Sequence, residues 1–415
     1  MSVFSRRGGG LWMEDAPLSE IAARYGTPCY VYSRRALTDS VARLREMFRR
    51  SAPRIFYAVK ANGNLSLLRL LREAGCGFDI VSAGELARVL ASGGDAAQIV
   101  FSGAGKSAAE IRAALDAGIG CFNVESAAEL ARLEEIAAAT KTRAPLAIRA
   151  NPDIDGGTHP HLTTGVRGGK FGVPPSEART LARTAADSQH LDFRGFACHI
   201  GSQIGEVSAY LSAAAKMDEL IRFAREDGIA VRHVDMGGGF AVNYETGADA
   251  DWNAAEYDAD LARRFSETEI WLEPGRAVAA RAGVLLSRVE YVKQSGDSVF
   301  WIADAGMNDF PRPALYGARH IVEETETGGG RRTMRGAVAG PVCESADILA
   351  RDCELAAAAG DVLAVRDAGA YCAAMFSGYN ARPRPCEVLV SGGETRLIRR
   401  RETVAEMLSD EKSLL

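Results

Sequence analysis

The sequence predicts an α/β protein, in which a (β/α)₈ barrel of the TIM type is followed by an all-β C-terminal domain. Between residues 55 and 273, eight short apolar runs alternate with segments of helical periodicity. This alternation is typical of parallel strands joined by helices, and eight such units close into a barrel. From Gly283 onward, β-type runs separated by turn residues replace the alternation, which indicates a second domain.

The eight apolar runs are the predicted barrel strands. They cover residues 55–59, 78–81, 99–101, 121–124, 146–149, 193–200, 231–236 and 270–273. Leucines between residues 65 and 71 follow a helical period, so an amphipathic helix is expected after the first strand, and similar patterns follow the others.

Three regions are expected along the chain. Residues 1–30 form an N-terminal segment that joins the β-domain, residues 31–276 form the barrel, and residues 277–415 form the C-terminal β-domain. The Tyr30-Val31-Tyr32 run is a candidate strand for the β-domain.

Composition points to small-molecule chemistry. The net charge of -5 and the lack of a long basic block argue against nucleic acid or an anionic membrane as a partner. Residues 1–13 have no apolar core of a signal peptide, and no stretch approaches the roughly 20 apolar residues of a membrane span, so we expect a cytoplasmic protein. The eight cysteines include no C-x-x-C pair, which suggests neither a zinc site nor a disulfide framework.

Lys60 follows the first apolar run and precedes a polar turn. In most proteins a lysine at a strand end is simply solvated. An amine held in a partly dehydrated site, however, can form a Schiff base with an aldehyde, and pyridoxal phosphate is the usual one. Lys60 is therefore a candidate covalent anchor for that cofactor.

Other unusual polar and glycine residues also fall at the ends of predicted strands, where barrels of this type place their active sites. They are Asp79, Arg149, His199, Gly237-Gly238-Gly239 and Glu273-Pro274-Gly275-Arg276. For Asp79 and Arg149 we expect a position near the site without a direct catalytic role.

Each of these residues has a functional and a purely structural interpretation. The triple glycine can bring backbone N–H groups close to a phosphate, or can be a flexible turn. His199 can stack on a cofactor ring while Ser202 binds a phosphate. Alternatively, His199 can be a core histidine whose nitrogens are hydrogen-bonded within the protein. Glu273 can keep a pyridine nitrogen protonated, or can pair with Arg276, which could otherwise bind a phosphate or a carboxylate.

Taken together, these blocks resemble the fold-type III pyridoxal-phosphate decarboxylases, which are alanine-racemase-like barrels fused to a β-domain. The resemblance is carried by residues 56–62, 199–202, 237–239 and 273–276. Residues 159–165 with 170–172, 312–317 and 340–345 are most similar to the branch that converts meso-2,6-diaminopimelate to L-lysine and CO₂, the last step of lysine biosynthesis. His159 and His161 within the first of these blocks are expected to be structural.

The resemblance implies a role for each barrel residue. Lys60 would bind pyridoxal 5'-phosphate covalently, His199 would stack on its ring, and Glu273 would face the pyridine nitrogen. The remaining implied cofactor contacts are Ser202, Gly238, Gly239, Gly275 and Arg276, the last of which could also reach the substrate.

In the β-domain, the resemblance implies a site shared between two subunits of a homodimer. Cys343, which would protonate the carbanion after CO₂ departs, and Glu344 would come from the second subunit. Tyr371 would contact the cofactor phosphate and the substrate. Arg312 and Tyr316 suit the distal carboxylate of diaminopimelate, and Glu344 suits its distal ammonium.

Three alternatives stay open at this point. A decarboxylase of ornithine, lysine or arginine would leave Arg312 without a substrate carboxylate. An amino-acid racemase would need a paired base on the opposite face of the ring, whereas the Cys343-Glu344 block suggests protonation after decarboxylation. A catalytically inactive homologue would be expected to lack Lys60 or Cys343, and both are present.

Overall fold

A computed structural model describes residues 3–156, 165, 168–246, 253–328 and 330–415. The chain divides into two compact units. The β-unit comprises Met1–Asp39, Val242–Asp249 and Val278–Leu415, and the barrel unit comprises Ser40–Ala241 and Ala250–Ala277. The barrel domain predicted from the sequence, residues 31–276, starts earlier and includes the short segment that the structure groups with the β-unit.

The N-terminal region contains four strands and two helices. They are β1 (Phe4–Arg7), β2 (Gly10–Met13), β3 (Ala16–Pro17), α1 (Leu18–Tyr25), β4 (Cys29–Ser33) and α2 (Arg34–Met47). The first three strands form a small antiparallel sheet, whereas β4 lies in the main sheet of the β-unit.

Eight parallel strands form the closed barrel, as the sequence predicts. They are β5 (Arg54–Ala58), β6 (Gly77–Ile80), β7 (Ile99–Phe101), β8 (Cys121–Val124), β9 (Ala144–Arg149), β10 (Leu191–Ala197), β11 (His233–Asp235) and β12 (Glu269–Leu272). Pairing of β12 with β5, in which Trp271 lies opposite Arg54, closes the ring. The strand ends that carry the unusual polar residues therefore meet at one end of the barrel.

A helix follows each barrel strand. These helices are α3 (Leu65–Glu73), α4 (Ala83–Ala91), α5 (Ala108–Ala117), α6 (Ala127–Thr140), α7 (Pro175–Asp187), α8 (Val207–Glu226), α9 (Ala254–Arg264) and α10 (Arg276–Ala279). Helices α3 to α6 begin at Asn64, Ser82, Ser107 and Ser126, whose side chains each accept a backbone N–H of the first turn. These caps fix where the chain leaves each strand-end loop.

The barrel interior is apolar and closely packed. Phe56, Val100, Cys121, Ala147 and Trp271 form one buried cluster, and the rings of Phe56 and Trp271 are 4.6 Å apart between centroids. Because helices cover the outside while side chains fill the inside, both faces of each strand are buried. This explains why the strands appear as continuous apolar runs in the sequence.

The C-terminal part of the chain is rich in strands. Its elements are β13 (Gly283–Ser295), β14 (Ser298–Ala303), α11 (Arg312–Tyr316), β15 (Val322–Glu324), β16 (Met334–Ala339), β17 (Ile348–Leu355), β18 (Val362–Val365), β19 (Cys386–Ser391), β20 (Glu394–Arg399), α12 (Val404–Met407) and α13 (Ser409–Lys412). Strand β4 pairs antiparallel with β13 and parallel with β19. In the described part of the chain, no helix is both long and apolar enough to span a bilayer.

Gly195 lies opposite His233 in the parallel pair of β10 and β11. A Cβ atom at this position would be 1.9 Å from the carbonyl oxygen of His233, a backbone atom that cannot move without displacing β11. We therefore predict that Gly195→Ala lowers the free energy of unfolding by about 1 to 3 kcal/mol, the usual cost of overpacking.

Urea unfolding of the purified protein measures this loss. Gly105→Ala is the matched control, because nothing lies within 4 Å of a Cβ atom placed there. Equal stability of the two variants would contradict the prediction.

Candidate active site

Lys60 lies in a single 3-10 turn, Val59–Ala61, at the end of β5. Val59 and Ala61 are buried, whereas the Lys60 side chain is 39% exposed. Its Nζ donates a hydrogen bond of 2.8 Å to Oδ2 of Asp79. Lys60 is therefore held by an ion pair, in contrast to the apolar surroundings that the sequence suggests.

Asp79 supplies this pairing because β6 is in register with β5. Ala58, two residues before Lys60, lies opposite Asp79 in the parallel pair. Asp79 is fully buried, and its Oδ1 atom accepts no hydrogen bond from the described residues. A buried oxygen of this kind usually has a partner, so an additional donor would fit beside Asp79.

His199 follows β10 and faces the glycines that follow β11. The N–H of Gly238 donates to Nδ1 of His199 over 3.2 Å, so Nδ1 is unprotonated. Burial, followed by the positive charges of Arg149 and Lys60, holds the pKa of His199 well below its ordinary value. The imidazole ring is therefore neutral, and its flat face could stack on the ring of a cofactor.

The three glycines are needed for the backbone to pack. A Cβ atom at Gly238 would be 2.3 Å from the Glu273 carbonyl oxygen, and one at Gly239 would be 2.3 Å from the Gly201 carbonyl oxygen. Gly239 also has a φ of 93°, which side chains disfavour. The N–H of Gly238 is already donated to His199. The N–H of Gly239 has no acceptor in the described part of the chain, so it could bind a ligand.

Ser202 and Arg276 meet at the same end of the barrel. Nη2 of Arg276 donates to Oγ of Ser202 over 2.9 Å. Arg276 is buried on the first turn of α10, and the buried Gly275 forms the bend between it and Glu273. This contact places a cation and a hydroxyl together, a combination that suits a phosphate.

Glu273 belongs to a network of buried polar groups. It is half-buried at the end of β12, and Asp235 is fully buried at the end of β11. Nδ2 of Asn123 lies 3.4 Å from Oε1 of Glu273 and 3.2 Å from Oδ2 of Asp235. Burial, followed by the negative charges of Asp235 and Asp79, raises the pKa of Glu273 well above its ordinary value.

Arg149 is anchored beside the site by Glu125. The two side chains are buried and form an ion pair of 2.8 Å, with the Arg149 guanidinium 5.0 Å from the Phe171 ring centroid. Glu125 also accepts the N–H groups of Gly103 and Gly172. The 170–172 block is thereby held at the end of β9, whereas His159, His161 and the rest of 159–164 lie outside the described residues.

Arg312 and Tyr316 lie in the β-unit, at the two ends of the short helix α11. Arg312 is buried, with Nη1 donating to Oη of Tyr244 over 3.0 Å and its guanidinium 4.3 Å from that ring's centroid. Nε of Arg312 is also buried and donates to no acceptor in the described part of the chain. Tyr316 is half-buried.

Cys343 and Glu344 are exposed on a turn of the β-unit. The Cys343 N–H donates to Oδ1 of Asn380 over 3.0 Å, and Oη of Tyr379 donates to Glu344 over 2.7 Å. Tyr371, also in the β-unit, is half-buried with a φ of 56°. This left-handed backbone is uncommon for tyrosine and is typical of functional loops.

Sequence reasoning missed several of these partners. Asp235, Asn123 and Glu125 are polar residues in or next to apolar strands, and that contrast is the signal that could have revealed them. Tyr244 gives no such signal, since it lies far from Arg312 in sequence and meets it only in the folded chain.

The family follows from comparison with known proteins. The family model described as "Pyridoxal-dependent decarboxylase, pyridoxal binding domain" matches residues 35–280. The chain belongs to the pyridoxal-dependent decarboxylase family.

Relatives within this decarboxylase family span the whole chain. The diaminopimelate decarboxylase of Pseudomonas aeruginosa is 45% identical over 423 residues, covering 100% of both chains. That of Neisseria meningitidis serogroup B is 44% identical over 405 residues, covering 98% of each. The crystal structure of the M. jannaschii diaminopimelate decarboxylase in complex with L-lysine has a TM-score of 0.93 at 34% identity, covering 100% of both chains.

The geometry at His199 predicts an unusual titration for this decarboxylase. Since the pKa of His199 is lowered, its ring should stay neutral while the pH falls through about 6.5, where an ordinary histidine protonates. Replacing Arg149 by methionine removes a nearby positive charge and should raise the pKa of His199.

NMR of imidazole carbons across this pH range measures the effect, with the His199 signal assigned by its loss in His199→Gln. Arg183→Met is the control, because Arg183 makes an exposed ion pair with Asp227. An ordinary His199 titration in the unmodified protein would disprove the prediction.

Proposed function

We propose that this protein decarboxylates meso-2,6-diaminopimelate to L-lysine and CO₂, using pyridoxal 5'-phosphate. The observation that carries this proposal is the position of Lys60 at the end of a barrel strand, ion-paired with the buried Asp79. The full-length similarity to proteins named diaminopimelate decarboxylase supports the choice of reaction.

The barrel residues fit the cofactor. The unsatisfied Oδ1 of Asp79, the Gly239 N–H and the Ser202–Arg276 pair offer polar partners around Lys60 and the neutral His199. The residues that would hold pyridoxal phosphate are Lys60, His199, Ser202, Gly238, Gly239, Glu273, Gly275, Arg276 and Tyr371.

When bound, pyridoxal phosphate supplies a ring that accepts the electron pair of the breaking bond to the carboxylate. Lys60 supplies the amine that holds the cofactor, and Asp79 orients that amine through its hydrogen bond. The flat side chain of His199 offers a face for the ring. The Cys343 thiol would give its proton to the substrate α-carbon, after which a solvent proton restores the thiol.

Specificity depends on the distal end of the substrate, since all amino acids share the reacting end. Arg312 is a buried cation without a carboxylate partner in the described part of the chain. A buried unpaired charge costs several kcal/mol, and the distal carboxylate of diaminopimelate would remove that cost. We assign Arg312 and Tyr316 to that carboxylate and Glu344 to the distal ammonium.

A homodimer is part of this proposal. Cys343 and Glu344 are exposed, as expected for side chains that act in the site of a second subunit. Each active site would then contain a barrel from one subunit and this turn from the other.

Product analysis tests the substrate assignment. Purified protein with pyridoxal phosphate should release CO₂ and lysine from meso-diaminopimelate, and should leave ornithine, lysine and arginine unchanged. Turnover of one of these three alone would overturn the assignment of Arg312, Tyr316 and Glu344.

The same assay with Arg312→Ala should show a loss of turnover of about 10²-fold or more, because a buried polar group selects strongly for its partner. The absorbance of the bound cofactor should stay unchanged, which also shows that the variant folds. Arg335→Ala is the control, since Arg335 is 71% exposed in a surface ion pair.

A second prediction separates the roles of Lys60 and Cys343. Lys60→Ala should lose both turnover and the absorbance of the covalently held cofactor. Cys343→Ala should keep that absorbance and lose about 10²- to 10⁴-fold in turnover, the usual contribution of a general acid.

Spectroscopy and CO₂ release on the same samples provide both measurements. Cys353→Ala serves as the control, because Cys353 is a half-buried thiol in β17. A fully active Lys60→Ala protein would exclude the proposed mechanism.

A further inference from the structure

We infer that Asp235 is a positioning residue that shares one proton with Glu273, and that binding of the cofactor moves this proton from Glu273 to the pyridine nitrogen. The inference rests on the proposed function, because it requires Glu273 to face that nitrogen. It assigns a role to Asp235 and Asn123, which the proposed mechanism does not use.

The contacts at the ends of β11 and β12 place the two carboxyl groups in one network. Nδ2 of Asn123 is within 3.4 Å of an oxygen of each, and it also donates to Oγ of Ser102 over 3.1 Å. The carboxyl groups of Asp235 and Glu273 therefore compete for the same amide donor at the ends of neighbouring strands. Two neighbouring carboxyl groups with one donor between them are most stable when they share a single negative charge and keep one proton.

The surrounding charges favour a single negative charge on this pair. Asp79 on β6 and Lys60, which follows β5, are already paired with each other. In the described part of the chain, no lysine or arginine forms an ion pair with Asp235 or Glu273. Burial of two like charges without a counter-ion disfavours double ionisation. Burial also raises the pKa of Asp235.

The hydrogen bonds assign the charge to Asp235 and the proton to Glu273. Oδ1 of Asp235 accepts the Gly237 N–H over 2.8 Å, and Oδ2 lies 3.2 Å from Nδ2 of Asn123. Both oxygens therefore face donors, which favours the ionised form. Glu273 has, among the described residues, only the longer Asn123 side-chain contact of 3.4 Å.

The transfer conserves charge at the site. The O–H bond of Glu273 breaks and an N–H bond forms at the pyridine nitrogen, so that a neutral acid and a neutral ring become a carboxylate and a pyridinium. The new carboxylate then has a cation beside it, which offsets the repulsion from Asp235. The protein thus provides the proton itself.

The test counts the protons exchanged with solvent when a ligand binds. The probe is 4'-deoxypyridoxine 5'-phosphate, which lacks the aldehyde and cannot react with Lys60. Asp235→Asn removes the neighbouring charge and should leave Glu273 ionised before binding. At a given pH, this variant should take up about one more proton per ligand than the unmodified protein.

Calorimetry in buffers of different ionisation enthalpy measures this number. Asp258→Asn is the matched control, because Asp258 is a buried aspartate that lies in α9 and not at the strand ends of the site, and its side chain accepts hydrogen bonds from Arg50 and Ser51. It should exchange as many protons as the unmodified protein. Equal proton numbers for Asp235→Asn and the unmodified protein would overturn the inference.

Infrared spectroscopy keeps the inference testable if Asp235→Asn does not fold. The unmodified protein should show a carboxylic acid C=O band that disappears when the probe binds and is absent from Glu273→Gln. A band that persists in the complex would also overturn the inference. If the probe does not bind the unmodified protein at all, the proposed function itself fails.

Discussion

The ion pair between Lys60 and Asp79 is the interaction on which the chemistry of the barrel end depends. It fixes the amine of Lys60 and also balances the buried carboxylate of Asp79, whose negative charge acts on Glu273. Without Lys60, Asp79 would add a second charge beside Glu273 and Asp235. The position of the Lys60 amine and the charge balance of the site therefore both depend on the parallel pairing of β5 and β6.

Much of this arrangement was predictable from the sequence. Lys60, His199, Glu273 and the glycines were predictable because each follows an apolar run, and parallel strands bring such ends together. The pairing of Asp79 with Lys60 was not predictable, because it depends on the register of β6 against β5. Periodicity identifies strands but does not give their register, which tertiary packing determines.

The contacts of Arg312 show a different limit. Its position on α11 agrees with the block of residues that the sequence singles out, but its burial against Tyr244 depends on a segment 68 residues earlier in the chain. Contacts between residues so far apart in the chain cannot be detected from the local hydrophobic pattern of the sequence. Buried residues of this kind are consequently easier to identify by resemblance than to explain from the sequence alone.

The central position of β4 affects how the chain reaches its folded state. This strand is synthesised before the barrel, yet its neighbours β13 and β19 begin at Gly283 and Cys386, after the barrel. During synthesis, the barrel segment emerges from the ribosome before β13 and β19 do. Until then the backbone N–H and C=O groups of β4 lack their strand partners. The β-unit is thus completed after the barrel, by pairing of strands that flank the barrel in sequence, and such long-range pairing is intrinsically slow. Synthesis of β19 is therefore the event that permits β4 to be enclosed.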